Sequence, residues 1–267
     1  MANYKVVDAE HLDSDLTSVA DAIREQTGKT EAIAFPNGFV SAPAELVEVG
    51  RQKEWSDFWD VFQQNGKRAN YTSAFAFGNW NSTTFRPKYD MYPTSVSAML
   101  QESSWVDDFA EALRNAGVKM DCSNCTNFFM FCHDSGVRRV GVVGSAVATN
   151  VQNMFGWTGA LHTIDKMIVS ENITDYTNTF AGCGKLVNLT MEGTIDKTIS
   201  FSASPLSLAS AKSVISCLKN FTGTGKEYTT TVTFGATTWG YLDAEGNASP
   251  DGTTWREYIT NTLCWNC

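Results

Sequence analysis

A chain of 267 residues with 43% hydrophobic and 12% aromatic residues can bury a substantial core, and its net charge of −9 argues against nucleic acid as the main partner. Neutralising phosphates needs clustered Lys and Arg. Only 18% of the residues are charged, below the roughly 25% usual for soluble domains; the resulting Ser, Thr, Asn and Gly surface suits an exposed structural or adhesive protein better than a cytosolic enzyme.

From the N-terminus, Met1 to Asp8 shows no charged segment followed by an apolar stretch. The longest apolar run, around Val140 to Ala148, is too short and too Gly-rich to cross a bilayer. The expectation is a chain made in a cytoplasm, with no membrane insertion. Residues 1–48 read as a helical attachment segment: Leu12, Leu16, Val19 and Ile23 form an apolar stripe on a helix of roughly four turns. Asp8 or Ser14 could cap it and Gly28 could stop it. Phe35-Pro36-Asn37-Gly38-Phe39 then supplies a turn. A second helix starts near Pro43 and carries Trp55, Phe58, Trp59 and Phe62 at helical spacing before Gly66. Residues 49–69 thus read as a lid on the end of a repeat stack.

The repeat itself occupies residues 70–204. Phe75, Leu100, Phe131, Phe155 and Phe180 recur about every 25 residues. The last three are each followed by apolar residues at offsets of six and nine: Val137 and Val140, Leu161 and Ile164, Leu186 and Leu189. A fixed period of this length marks a stacked repeat, here with one short strand and a tight turn per unit. The expected strands are Val137–Val143, Leu161–Val169 and Leu186–Met191. Their outward columns hold Arg139 and Gly141, Thr163 and Asp165, then Asn188 and Thr190. An insertion from Val106 to Ala116 has helical period, with Gly117 as its stop. Pro205 is expected to end the stack. Residues 205–267 then form an α/β cap: a helix around Leu206 to Leu218, a strand over Thr229–Phe234, an acidic loop to Gly252, and a short closing helix over Trp255–Leu263.

Chemistry-bearing motifs are sparse. His11, His133 and His162 have no triad-like setting, and there is neither a Gly-x-Ser-x-Gly elbow nor a His-Glu-x-x-His helix. Thr222-Gly223-Thr224-Gly225-Lys226 lacks the upstream glycine and the following Ser or Thr of a phosphate loop. Cys122-x-x-Cys125 and Cys264-x-x-Cys267 lie about 140 residues apart, too far for a zinc ribbon, so buried free thiols are the favoured reading. Asp243, Glu245, Asn247 and Asp251 alternate like calcium ligands but lack the glycine and glutamate of an EF-hand. No catalytic set, metal site or cofactor is assigned. For binding, the positions two residues after the anchors stand out: His133, Trp157 and Gly182. An indole in the turn Phe155-Gly156-Trp157-Thr158-Gly159 could stack on a sugar or pack under the next repeat. The outward strand residues Arg139, Thr163, Asp165 and Asn188 complete the candidate binding set.

The Met-Phe and Thr-Phe anchors, Cys183, and Leu186-x-x-Leu189 followed by Leu206-x-x-Ala209-x-Ala211-Lys212-x-Val214-Ile215 resemble the BspA-type leucine-rich repeat. The opening, Tyr4-Lys5-Val6-Val7-Asp8-Ala9-Glu10-x-Leu12 with Thr17 to Arg24 and Phe35 to Phe39, resembles a leader on tail and surface proteins of phages and prophages of Gram-positive gut bacteria. Together the resemblances cover most of the chain. They imply an α+β, β-solenoid fold: a leucine-rich-repeat-like stack of short parallel strands with a helical N-terminal segment and an α/β cap. They also imply a virion-associated structural protein of tail-fibre, baseplate or receptor-binding type. Its partners would be other virion proteins, a host-surface glycan or protein, and further copies of itself. A decoration or assembly protein without ligand, or a carbohydrate-degrading tail enzyme, is the alternative. The family continues directly from the strand at Phe234 into a helix, whereas here Trp239 to Gly252 reads as an inserted acidic loop.

Overall fold

The structure is a computed structural model that describes residues 17–25, 59–60, 62–63, 66–244 and 246–267. The chain divides into two compact units, Met1–Phe62 and Gln63–Cys267. In the first, residues 17–25 are helical and bury Ala20 and Ile23, while Val19 is half-exposed. The buried face is therefore rotated away from Val19, contrary to the expected stripe; Leu12 and Leu16 lie outside the described residues. Trp59 and Phe62 meet edge-to-face at 5.6 Å. Trp55, Phe58, Gly28 and the Phe35–Phe39 turn also fall outside the description.

The second unit is a β-solenoid of about five turns. Its strands are β1 (Arg68–Asn70), β2 (Asn79–Trp80), β3 (Tyr92–Ser95), β4 (Ser104–Trp105), β5 (Arg139–Gly144), β6 (Thr163–Val169), β7 (Asn188–Gly193), β8 (Ile199–Phe201) and β9 (Val232–Phe234). Every pairing is parallel: β1 with β3, β2 with β4, β5 with β6 and β6 with β7, β8 with β9. Parallel pairing follows from coiling, because each turn returns the chain to the same edge in the same direction. Single bridges at Ser95, Asn127 and Asn150 extend the β1–β3 column.

What locks the coils together is a second column, made of turns rather than strands. Phe75 N donates to Met99 O at 3.0 Å, Leu100 N to Phe131 O at 2.8 Å, Cys132 N to Met154 O at 2.8 Å and Phe155 N to Thr179 O at 3.0 Å. The intervening amides turn back on their own coil, as Met99 N does on Val96 O and Met154 N on Val151 O. The backbone reaches this alternation through two left-handed residues four apart in each coil: Ser73 and Phe77, Ala98 and Glu102, Met130 and Asp134, Asn153 and Trp157, Asn178 and Gly182. Five residues before each register position a polar side chain accepts from the amide two residues on. Asn70, Ser95, Asn127, Asn150 and Asp175 do so at 2.9, 3.3, 3.1, 2.9 and 2.7 Å.

This register corrects one anchor. Cys132, not Phe131, is the backbone equivalent of Phe155 and Phe180. The Phe131 ring still joins the interior stack, 6.4 Å from Phe155. That stack is continuous. Phe75, Phe85, Phe109, Phe131, Phe155, Phe180, Phe201 and Phe234 follow one another at centroid distances of 4.6 to 6.4 Å. The strands add Val140 and Val143, Ile164, Met167 and Val169, and Leu189 and Met191 to the same interior. Met167 with Val169 and Leu189 with Met191 do so by alternation, whereas Val140 and Val143, like Ile164 and Met167, lie three apart.

The three long strands begin two residues later than the apolar pattern suggests. Leu161 and Leu186 are buried, but their amides bond to Thr158 O and Cys183 O, both at 3.1 Å, and so close turns instead of joining the ladder. In β6, Ile164 pairs with Leu189 and Met167 with Met191, so Asp165 and Lys166 together oppose Thr190, a bulge that turns both side chains outward. The insertion forms the helix Phe109–Asn115, capped by the Asp108 side chain on Glu111 N and followed by Gly117 at φ +70°.

Pro205 does not end the stack. β8 and β9 pair on either side of it, with Ile199 opposite Val232 and Phe201 opposite Phe234. The intervening helix Leu208–Ser216 packs on β7. Nor does the chain leave β9 as a loop: Gly235 leads straight into the helix Ala236–Leu242, which contains Trp239, so the acidic loop begins only after Leu242. The closing segment is shorter in its α part, Trp255–Glu257, and continues as a π-turn over Tyr258–Thr262.

The Phe180 ring is stacked between Phe155 at 5.8 Å and Phe201 at 4.6 Å and is almost fully buried. Phe180→Ala opens a cavity in the middle of this stack and should cost about 3–5 kcal/mol, read as a lowered urea midpoint.

Candidate functional site

The exposed side of the turn column is set by its second left-handed position. In successive coils this position holds Phe77, Glu102, Asp134, Trp157 and Gly182. Side chains here leave the coil, because the residue that follows points inward and is anchored. Ser103 Oγ donates to Leu100 O at 2.8 Å, Thr158 Oγ1 donates to Cys132 O, and the Cys183 thiol sits 3.0 Å from Phe155 O. Phe77 is 70% exposed and Trp157 49%.

Trp157 sits between neighbours on both sides. The His133 ring lies 5.1 Å away, edge-on, and His133 Nδ1 is 3.0 Å from a carboxylate oxygen of Asp134. On the next coil, a Cβ at Gly182 would lie 3.0 Å from the Trp157 Cα and 3.1 Å from its indole Cδ1, so a side chain there would crowd the indole. The indole thus rests on the neighbouring repeat and still presents about half its surface to solvent. His133, Trp157 and Asp134 are brought together. His133 itself is not the repeat equivalent of Trp157; the corrected register gives that place to Asp134.

The strand candidates lie on a different side of the coil. Arg139 and Asp165 form an ion pair, with Nε at 3.0 Å and an amino nitrogen at 2.9 Å from Asp165 Oδ1. That hydrogen bond raises the guanidinium pKa further still. Asn188 Nδ2 reaches Thr163 Oγ1 at 3.5 Å, and Lys166 Nζ reaches Glu192 at 2.7 Å. These polar groups satisfy one another across coils, which makes the sheet face a self-paired surface. Beside it, a shallow cleft of about 200 Å³ separates the helix Phe109–Asn115 from β5, lined by Leu113, Arg114, Met120, Gly141, Val142 and Asp165.

The acidic loop is held by its own hydroxyls. Asp251 accepts from Thr253 Oγ1 at 2.6 Å, Thr262 Oγ1 at 2.7 Å, Ser249 Oγ at 2.7 Å and Thr253 N at 3.0 Å. The Thr253 hydrogen bond is the largest of several that hold this carboxyl well below the usual carboxylate range. Cys122, Cys125, Cys132, Cys183, Cys217 and Cys264 are buried free thiols, and Cys267 is exposed. Burial raises the pKa of Cys125 to about 11 and of Cys183 to about 12, and pushes Cys122 and Cys132 well above the ordinary value. Among the described residues, no group of three or more His, Cys, Asp or Glu is placed to hold a metal ion, and no helix is long and apolar enough to cross a membrane.

Sequence reasoning missed Phe77, Glu102 and Asp134. The signal that locates them is the Asn, Ser or Asp seven residues earlier in each coil: Asn70, Ser95 and Asn127.

Native protein treated with a thiol reagent should modify Cys267 rapidly and leave the other six cysteines unreacted until denaturant is added. Several fast thiols would contradict the burial. Asp251 gives a pH prediction. Its folded pKa is depressed, so its contribution is complete above a pH of about 4 and is lost as pH falls further. Asp251→Asn should lower stability at neutral pH and flatten the acid limb of a stability–pH curve.

Comparison with protein-family models, with curated protein sequences and with solved structures finds no match.

Proposed function

We propose that this chain is a virion-associated structural protein that presents its solenoid surface for attachment to a host surface, with residues 1–48 serving to dock it to other virion proteins. The observation that carries the reading is Trp157, a half-exposed indole braced by His133 and Gly182 on a rigid stack of coils. A solenoid offers a long, pre-formed surface and little enclosed volume, which favours recognition over chemistry on a small substrate. The sequence resemblance to BspA-type repeats and to phage tail leaders supplies the setting, and the Ser, Thr and Asn surface accords with exposure to solvent on all sides.

Attachment is tested with purified, labelled full-length chain and intact Gram-positive gut bacteria. Strain-selective binding that falls at least about tenfold in Trp157→Ala, with unchanged thermal unfolding, is the expected result. Absence of binding to every strain would shift the reading to a decoration or assembly role.

A further inference from the structure

The position that Trp157 occupies is not an isolated feature of one turn. The same left-handed place in four successive coils carries Phe77, Glu102, Asp134 and Trp157. Their amides form consecutive rungs: Phe77 N to Gln101 O at 2.9 Å, Glu102 N to His133 O at 2.8 Å, Asp134 N to Gly156 O at 2.9 Å, and Trp157 N to Ala181 O at 2.6 Å. Parallel rungs lie about 4.8 Å apart, so the two rings are separated by three rungs, about 14 Å. The surface reads ring, carboxylate, carboxylate, ring across successive coils.

Two costs make this arrangement informative. A bulky residue at positive φ is disfavoured by about 1–2 kcal/mol, and the fifth coil shows the unstrained solution, Gly182. An exposed ring also forgoes most of the stabilisation that burial would give it. Phe77 and Trp157 carry both penalties, at φ +55° to +59° and with 70% and 49% of their surface exposed. Neither ring stabilises the fold in proportion, so an outside ligand is the economical explanation.

We infer that the Phe77–Glu102–Asp134–Trp157 line is a binding track for an extended amine-bearing glycan, with a sugar ring stacked at each end and protonated amino groups facing the two carboxylates. This deepens, and rests on, the attachment reading. Charge complementarity selects the ligand class: Glu102 and Asp134 are exposed, and the chain carries a net charge of −9. Beside the line His133 already faces Asp134. An acidic polysaccharide would meet two carboxylates in succession and be repelled. A cationic sugar over an indole also gains cation–π attraction.

The test is calorimetric titration of the full-length chain with four defined hexasaccharides: a fully deacetylated chitosan, its N-acetylated chitin counterpart, a neutral cello-oligomer and an acidic oligogalacturonate. The chitosan oligomer should bind tightest, weaken with added salt, and lose about tenfold in affinity in Phe77→Ala and in Trp157→Ala. The double variant Glu102→Gln, Asp134→Asn leaves both rings in place and should abolish the preference for chitosan over chitin. Equal affinity for chitin and chitosan, preference for the acidic chain, no binding to any of the four, or indifference to all these variants would each overturn the inference. The attachment reading fails separately. Cell binding without oligosaccharide binding sinks the glycan track alone, whereas oligosaccharide binding without cell binding sinks attachment alone.

Discussion

The constraint on which the rest of this molecule depends is the coil-to-coil hydrogen bonding of the turn column. An irregular turn buried against its neighbours must still satisfy its amides and carbonyls. Here alternate amides are shared between the turn's own coil and the next one, as Phe155 N and Met154 N show by donating to Thr179 O and Val151 O. That sharing demands a left-handed residue at fixed intervals. It therefore fixes which residues point inward, which point out, and how far the chain advances per coil.

Much of the interior follows from that register. The phenylalanine stack runs without a break although its rings come from different places. Phe75, Phe155 and Phe180 come from the turn register, Phe109 from the inserted helix, and Phe201 and Phe234 from strands. Where the backbone slips by one residue the interior adapts. Cys132 occupies the position of Phe155, and Phe131 supplies the ring from the residue before. Small hydrogen-bonding side chains such as Ser103, Thr158 and Cys183 then occupy the space beside the ring column and bond to anchor carbonyls. The buried thiols belong to this scheme. They are space-filling side chains in a dry interior, and burial accordingly keeps them protonated.

Much of the solenoid was legible because a repeat multiplies a weak signal: apolar offsets of six and nine from three anchors suffice to place three parallel strands. The errors come where hydrogen bonding, not hydropathy, decides. Leu161 and Leu186 look like strand residues because they are apolar, yet their amides close turns. Pro205 looks like a terminator because it lacks a donor. It sits between β8 and the helix Leu208–Ser216, where no ladder amide is required, so the stack passes it. The strand candidates Arg139, Thr163, Asp165 and Asn188 were correctly read as outward-facing, but their mutual pairing depends on coil alignment that no local pattern encodes. The same holds for the row containing Phe77, Glu102 and Asp134. These residues share no type, and only the backbone puts them in line.

That contrast between the two outer faces bears on how such a scaffold acquires function. On the sheet face, Arg139 with Asp165 and Lys166 with Glu192 neutralise one another across coils, so a ligand there would have to displace existing partners. On the turn face, each exposed position is already held at positive φ by the backbone, and a side chain placed there finds few neighbours to pack against. At Phe77, Glu102 and Asp134 substitution therefore leaves the core largely untouched and directly changes what the surface offers, whereas a side chain at Gly182 would crowd Trp157. Trp157 is the instructive case: its indole is steadied by His133 and by the bare Gly182, contacts that restrict its motion without covering it. A ring held still beforehand would lose little entropy on the binding proposed above. On the attachment proposed above, the hydrogen-bonded column would do for recognition what an enclosed pocket does in a globular domain, by fixing the spacing and direction of a few exposed groups.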